Sequence, residues 1–327
     1  MPRPPPSYTR YGSSAASDVY KRQPLVVFDV LVRLLRKMYP KVTYVRNITD
    51  IDDKINKRAT EKKIKISELT KETIKNFHNY CKSLGNLYPD FEPRATDHIN
   101  EIIEMIEILI SKGFAYVSSG NVLFSVEKYK KYGLLSGRSL KDMISGSRVD
   151  VAEYKDKPGD FILWKPSTED LPGWNSPWGR GRPGWHIECS AMSKKYLGEQ
   201  FDIHAGGLDL IFPHHENEIA QSCCANDSEV MANFWLHNGY VTSEGEKMSK
   251  SLGNFTTINE LLFQFNGEAI RYALLQAHYR APLSFSKKSL EEAKKSLSRL
   301  YRAVDGFEVN GNPDKELIIN LCDDINT

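Results

Sequence analysis

The stretch FDIHAGGLDLIFPHHENEIAQS, Phe201 to Ser222, passes from strand to glycine turn to helix. FDI reads as strand. Gly206 and Gly207 follow, and glycine lets backbone approach a ligand closely, as in nucleotide sites of open α/β sheets. A tight turn uses the same pair, so both readings stay open. Pro213 suits the first position of a helix, and HHENEIAQS reads as that helix. His214 and Glu218 stand four apart and therefore share a face. The order of these pieces points to an α/β fold.

Just upstream lies Gly184-Trp-His-Ile-Glu-Cys189. A thiolate from Cys189, an imidazole from His214 and a carboxylate from Glu218 would suit Zn²⁺, which accepts S, N and O ligands. The alternative is a buried cysteine beside a hydrogen-bonded His–Glu pair. Downstream, EGEKMSKSLGN (244–254) places Lys247 and Lys250 among Ser and Gly. Ammonium groups on such a loop either stabilise charge on a transferring phosphate or simply face solvent.

The chain has 327 residues, 40% of them hydrophobic and 26% charged, which fits a soluble protein with room for two domains. Mean hydropathy is −0.46, and no apolar run approaches the roughly 18 residues of a membrane span. A net charge of +2, from 44 basic and 42 acidic residues, means any nucleic-acid site is a local patch. Five scattered cysteines argue for a reducing cytosol, with Cys223 and Cys224 as buried thiols.

Residues 1–23 show neither helical nor strand period, and no apolar core of a secretory signal. From Pro24, the residues Val27, Val30, Leu31, Leu34, Leu35 and Met38 recur at helical spacing, and Pro40 ends the segment. KVTYVRNI (41–48) reads as a strand. Residues 55–84 read as helix. There Lys54, Lys57, Arg58, Lys62, Lys63 and Lys65 form a basic cluster, either a solvated face or one that contacts phosphate. Thr96 is the expected N-cap of a helix whose stripe runs from Ile99 to Ile110, and Gly113 closes it. FAYV, VLFSV and DFILW are short strands of a β-rich insertion. KKSLEEAKKSLSRLYRAV (287–304) is a last amphipathic helix.

Taken together, VRNITDIDDKI (45–55), PRATDHI (93–99), SPWGRGRPGWHIECSAM (176–192), the opening stretch, EGEKMSKSLGNF (244–255) and HYRAPLSFS (278–286) resemble bacterial cysteinyl-tRNA synthetase, a class I aminoacyl-tRNA synthetase. The resemblance implies a Rossmann-like catalytic core over 24–286, with a connective insertion at about 85–175 and a KMSKS loop at 247–251. The start of a helical bundle over 287–327 follows. It implies a cytoplasmic monomer that activates L-cysteine with ATP and Mg²⁺ and passes it to tRNA(Cys). Zinc on Cys189, His214 and Glu218 would hold the substrate thiolate. Thr49, Trp185 and Asp209 match the cysteine pocket, and Lys250, with Lys247, matches the ATP site, where Gly206 and Gly207 also fall. In the family, a first strand carries a fourth zinc ligand, Cys, followed by His-Ile-Gly-His; here GSSAASDVYKRQ stands in that place. The chain is therefore expected to be an internal fragment whose parallel sheet has an exposed edge or a hole at its centre, with weak zinc affinity and impaired activity. Two alternatives remain: a cysteine-activating ligase of mycothiol synthesis, and a non-catalytic tRNA-binding fragment.

Overall fold

In the computed structural model, residues 23–138, 152–243, 246–247 and 257–305 are described. Helix α1, Gln23–Met38, begins one residue before the expected start. Its buried positions are Gln23, Val26, Asp29 and Val32 rather than the predicted stripe, and Val30 and Met38 are exposed. The rotation has a polar cause. Asp29 accepts hydrogen bonds from Leu87 N (2.6 Å), Arg33 Nε (2.8 Å) and Arg271 Nη2 (2.5 Å), so a carboxylate occupies the innermost turn. Two distant segments, at Leu87 and Arg271, are thereby tied to α1. An apolar-period reading does not register a buried ion.

Residues 41–48 are joined to their neighbour by two isolated parallel bridges, Val45 to Phe91 and Ile48 to Arg94, in place of the full expected strand. The single helix expected over 55–84 is two: α2, Asp53–Lys62, and α3, Ile66–Ser83. Lys63, in the left-handed region at φ 55°, makes the break. Thr96 caps nothing. Its hydroxyl donates to Asp50 Oδ2 (2.6 Å), and α4, Ile99–Ser111, starts three residues later. The stripe on α4 is buried much as predicted, and Gly113 follows at φ +77°.

The three predicted insertion strands are present: β1, Ala115–Ser118; β2, Asn121–Phe124; β3, Phe161–Pro166. With β4, Gly181–Pro183, they form an antiparallel sheet in sequence order. Its core contains Phe124, Leu163 and Trp164, packed on Ile102, Ile106 and Leu109 of α4. Helix α5, Trp185–Leu197, leads into β5, Phe201–Gly207, which pairs in parallel with β6, Ala232–Asn238. Between them runs α6, Glu216–Asn226. A short π-helical segment, Ile211–His215, runs into it, kinked at Phe212, which is extended (φ −135°, ψ 132°), the conformation favoured before proline.

The chain continues through β7, Val241–Ser243, and β8, Glu246–Lys247. Helices α7, Ile258–Leu262, and α8, Gly267–Leu274, come next. After β9, Leu283–Ser284, helix α9, Lys287–Val304, matches its predicted span. Strand β7 pairs in parallel with β9 and antiparallel with β8. A second core joins Val26 of α1 to Ile270 and Leu274 of α8 and Leu290 of α9. Residues 1–22, Lys250 and 306–327 lie outside the described residues.

Among the described residues, β5 has a partner on one edge only. Its other edge and residues 42–50 line a common cavity of about 1120 Å³, whose third wall is the Leu25, Phe28, Leu31 and Leu35 face of α1. That face is the second apolar surface of α1, the one its buried stripe leaves over.

Asp29→Ala removes the acceptor shared by Leu87, Arg33 and Arg271 and is expected to cost about 2–4 kcal/mol in urea unfolding. Burial pushes the Asp29 carboxyl up, but the Leu87 N–H and the two guanidiniums outweigh it and hold the group below its ordinary value. The folded state then binds the proton more weakly than the unfolded chain. The stabilisation is present above the ordinary Asp range near pH ~4 and is lost as pH falls through the lowered folded value. A variant as stable as the parent at neutral pH would contradict this role.

Candidate functional site

The site forms where α5, β5 and the start of α6 meet the cavity. α5 has residues Ile187 to Met192 all buried, so Glu188 and Cys189 point into protein rather than water. Thr49 Oγ1 donates to the Glu188 carboxyl and Asn47 Nδ2 reaches Cys189 Sγ at 3.4 Å, bringing the 42–50 segment onto this helix. Trp185, the first residue of α5, stacks on the His214 ring with centroids 4.2 Å apart. Thr49, Trp185, Cys189, Gly206, Gly207 and His214 all line the cavity.

Glu218 of α6 is fully buried, and His214 Nε2 lies 2.9 Å from its Oε1, as expected for residues sharing a helix face. His204 Nε2, from β5, lies 3.1 Å from Oε2. Both carboxylate oxygens are close to imidazole nitrogen, yet neither contact has hydrogen-bond geometry. Burial pushes the Glu218 carboxyl up, and the His204 and His214 rings overcome it, holding the group well below its usual range. Buried anionic oxygens without aligned donors are suited to a cation.

One ligand atom each from Cys189, His214 and Glu218 lies within 4.8 Å of the others. Burial, followed by the Glu218 and Glu188 charges, pushes the Cys189 thiol well up. Its thiolate therefore calls for a positive partner, and the S, N and O donor set fits Zn²⁺. His204, His215 and Glu218 form a second such set sharing the same carboxylate.

Sequence reading missed the extent of the imidazole cluster. His186 Nδ1 lies 2.8 Å from His214 Nδ1, and His215 Nδ1 lies 2.8 Å from His237 Nε2. His237 is on β6, directly opposite Gly206 in the parallel register. Burial, with His204 next in weight, pushes His215 well below its ordinary value, while burial first takes His237 down to about 4. Both are thus neutral imidazoles at pH 7. The signal was present in His186 of GWHIEC and in the adjacent histidines of FPHHENE, but His237 is joined to them only by strand pairing.

Gly206 has a packing reason for its lack of a side chain. An added Cβ would lie 2.8 Å from His215 Cε1 and 2.9 Å from Leu210 Cδ1. Asp209 stands half-buried on the short turn Leu208–Leu210 after β5 and does not line the cavity. Lys247 is paired through its backbone with Thr242 in β8, and Lys250 lies outside the described residues. Glu216, though next to the site, is occupied in accepting the Gly133 and Ser136 amides.

A parallel pair crossed by α6, carrying polar residues at the strand ends, is the arrangement of an open α/β nucleotide-type site. The same fold occurs in methionyl-tRNA synthetase of Mycobacterium tuberculosis, solved with methionyl-adenylate. The TM-score is 0.68 at 17% identity, covering 95% of this chain and 74% of that one. This is the class I tRNA synthetase fold. A family model described as "tRNA synthetases class I (C) catalytic domain" matches residues 13–295, and the chain belongs to that family. Among curated proteins, a Rhodospirillum rubrum protein named cysteine–tRNA ligase is 59% identical over 309 residues, 93% of this chain and 67% of that protein. A Paramagnetospirillum magneticum protein of the same name is 58% identical over 311 residues, 93% of this chain and 68% of that protein.

Gly206→Ala is expected to displace His215 and cost about 1–3 kcal/mol, read as a lower Tm. An unchanged Tm would show that the ring and Leu210 yield without penalty.

Proposed function

We propose that the chain is the catalytic portion of a ligase that activates L-cysteine with ATP·Mg²⁺ and transfers it to tRNA(Cys). The observation that carries this reading is the meeting of Cys189 and His214, on the cavity wall, with the fully buried Glu218, both of whose oxygens lack an aligned donor. Those three residues would hold zinc, which when bound supplies a Lewis acid that prefers a thiolate to a hydroxyl. The preference separates cysteine from serine in the binding step, where a shape-based pocket discriminates poorly.

The chain's own residues do the rest. Trp185 stacks on His214 and fixes that imidazole's plane. Thr49 holds Glu188 and so braces the helix carrying Cys189. Asp209, on the turn between the cavity-lining Gly207 and Leu210 but outside the lining itself, is the carboxylate that the resemblance assigns to the substrate ammonium. Gly206 and Gly207 present strand-end backbone to the cavity, where the nucleotide would lie, although the Cβ space of Gly206 is taken by His215 and Leu210. The substrate carboxylate attacks the α-phosphate of ATP, forming cysteinyl-adenylate and releasing pyrophosphate; Lys250 and Lys247 offset the charge developing there. A ribose hydroxyl of the tRNA 3′ end then displaces AMP.

We read the cavity between residues 42–50 and β5 as the place of a parallel strand. What supports this is the β5 edge that has no partner among the described residues, and the apolar α1 face that lines the same cavity. The resemblance implies that in the family such a strand carries a fourth zinc ligand, Cys, and leads to the histidines at the α-phosphate; GSSAASDVYKRQ stands in their place here.

With zinc added, calorimetry is expected to show binding of L-cysteine, with L-serine roughly 100-fold or more weaker. Cys189→Ser should remove the difference. Equal binding of the two amino acids, or metal-independent cysteine binding, would overturn the assignment. Zinc itself is expected to be lost on dialysis against a mild chelator, and stoichiometric retention would contradict a three-ligand site. Cysteine-dependent ATP–pyrophosphate exchange is expected about 100-fold or more below that of the R. rubrum relative. A comparable rate would show that GSSAASDVYKRQ, standing where the family has Cys and His-Ile-Gly-His, costs nothing.

A further inference from the structure

Helix α2 presents Lys54, Lys57, Arg58, Glu61 and Lys62 at spacings of three and four, so they lie along one face. Ile55, Asn56 and Ala59 are buried on the other, where Ile55 and Ala59 pack with Leu69 of α3. Lys63 and Lys65 follow and are exposed. Residues 53–65 thus hold five lysines and one arginine against Asp53 and Glu61. That is a net of four positive charges, twice the +2 of the whole chain. Asp53 does not offset them, because its carboxylate is engaged at 2.7 Å by both Lys165 of β3 and Arg182 of β4. Glu61 makes only a loose 4.0 Å contact with Lys57, both side chains being well exposed.

Like charges at this density repel one another and gain most from a polyanion. The placement matters equally. α2 begins four residues after Thr49, which lines the cavity, and Asp53 fastens it to the insertion sheet. Lys54 to Lys62 covers about 12 Å of helix, long enough for several phosphates of one strand. The face carries no apolar residue, as a membrane-lying helix would require.

We propose that this α2 face binds the phosphate backbone of tRNA close to the 3′ end that enters the cavity. The proposal rests on the tRNA-ligase reading above. Its chemistry is sequence-independent: the lysines and arginine position the RNA and release counterions, and they read no base.

The test is binding of a tRNA(Cys) transcript to the chain by fluorescence anisotropy, between about 50 and 200 mM salt. The variant is Lys57→Glu, Arg58→Glu, Lys62→Glu. The charge-matched control reverses Lys130, Lys157 and Lys288, exposed lysines on other surfaces. The α2 variant is expected to bind roughly tenfold or more weakly, with the slope of log K against log salt reduced by about 2–3, while the control changes far less. Equal loss in both variants, or in neither, would overturn the α2 assignment and leave the tRNA-ligase reading intact. A parent chain that does not bind the transcript at all would sink that reading, and the α2 proposal with it. Tighter binding of the parent to anionic vesicles than to tRNA, lost in the α2 variant, would also overturn it.

Discussion

The carboxylate of Glu218 is a buried anion held between two imidazoles, and much of the surrounding architecture serves to keep it there. A lone ionised carboxylate in a protein interior is costly, so the surroundings must supply compensating charge or dipole. His204 comes from β5 and His214 from the turn before α6, so the carboxylate requires strand and helix to meet at one point. The rings in turn lean on others: His214 on Trp185 and His186, His215 on Gly206 and His237. The cluster thereby fixes the relative positions of α5, β5, α6 and β6. Cys189 completes the donor set from α5, and its own burial raises the cost of its charged form. A cation at this point would relieve both groups together.

A second buried carboxylate plays the corresponding part at the other side of the cavity. Asp29 binds α1 to the loop at Leu87 and to α8 through Arg271. These contacts turn one apolar surface of α1 into the core and leave the other on the cavity. The large cavity is bounded by two polar anchors, with apolar helix face and strand edges between them. An α/β sheet ordinarily fills such a space with strand.

Much of this could be read from the sequence. The strand–glycine–helix order of residues 201–222, the three insertion strands, the α4 stripe and the span of α9 follow from periodicity and turn chemistry, which act locally. The His214–Glu218 pair was legible because helical spacing fixes it. What escaped was set by contacts distant in sequence. The buried face of α1 is chosen by an ion pair with residue 271. Thr96 is taken from its expected cap by Asp50. His237 reaches the imidazole cluster through parallel register, and Gly206 is small because of a ring nine residues further on. The break between α2 and α3 turns on a single left-handed lysine, a residue type with no strong preference for that conformation.

The central claim is that Cys189, His214 and Glu218 form one metal site that takes the substrate thiol. Cobalt(II) titration of the chain, followed by absorption spectroscopy, tests it most directly, since Co²⁺ occupies zinc sites and reports thiolate ligation by a charge-transfer band. The account predicts a thiolate band that is absent in Cys189→Ser and that intensifies with L-cysteine but not with L-serine. A band unaffected by that substitution, or a spectrum indifferent to L-cysteine, would contradict it.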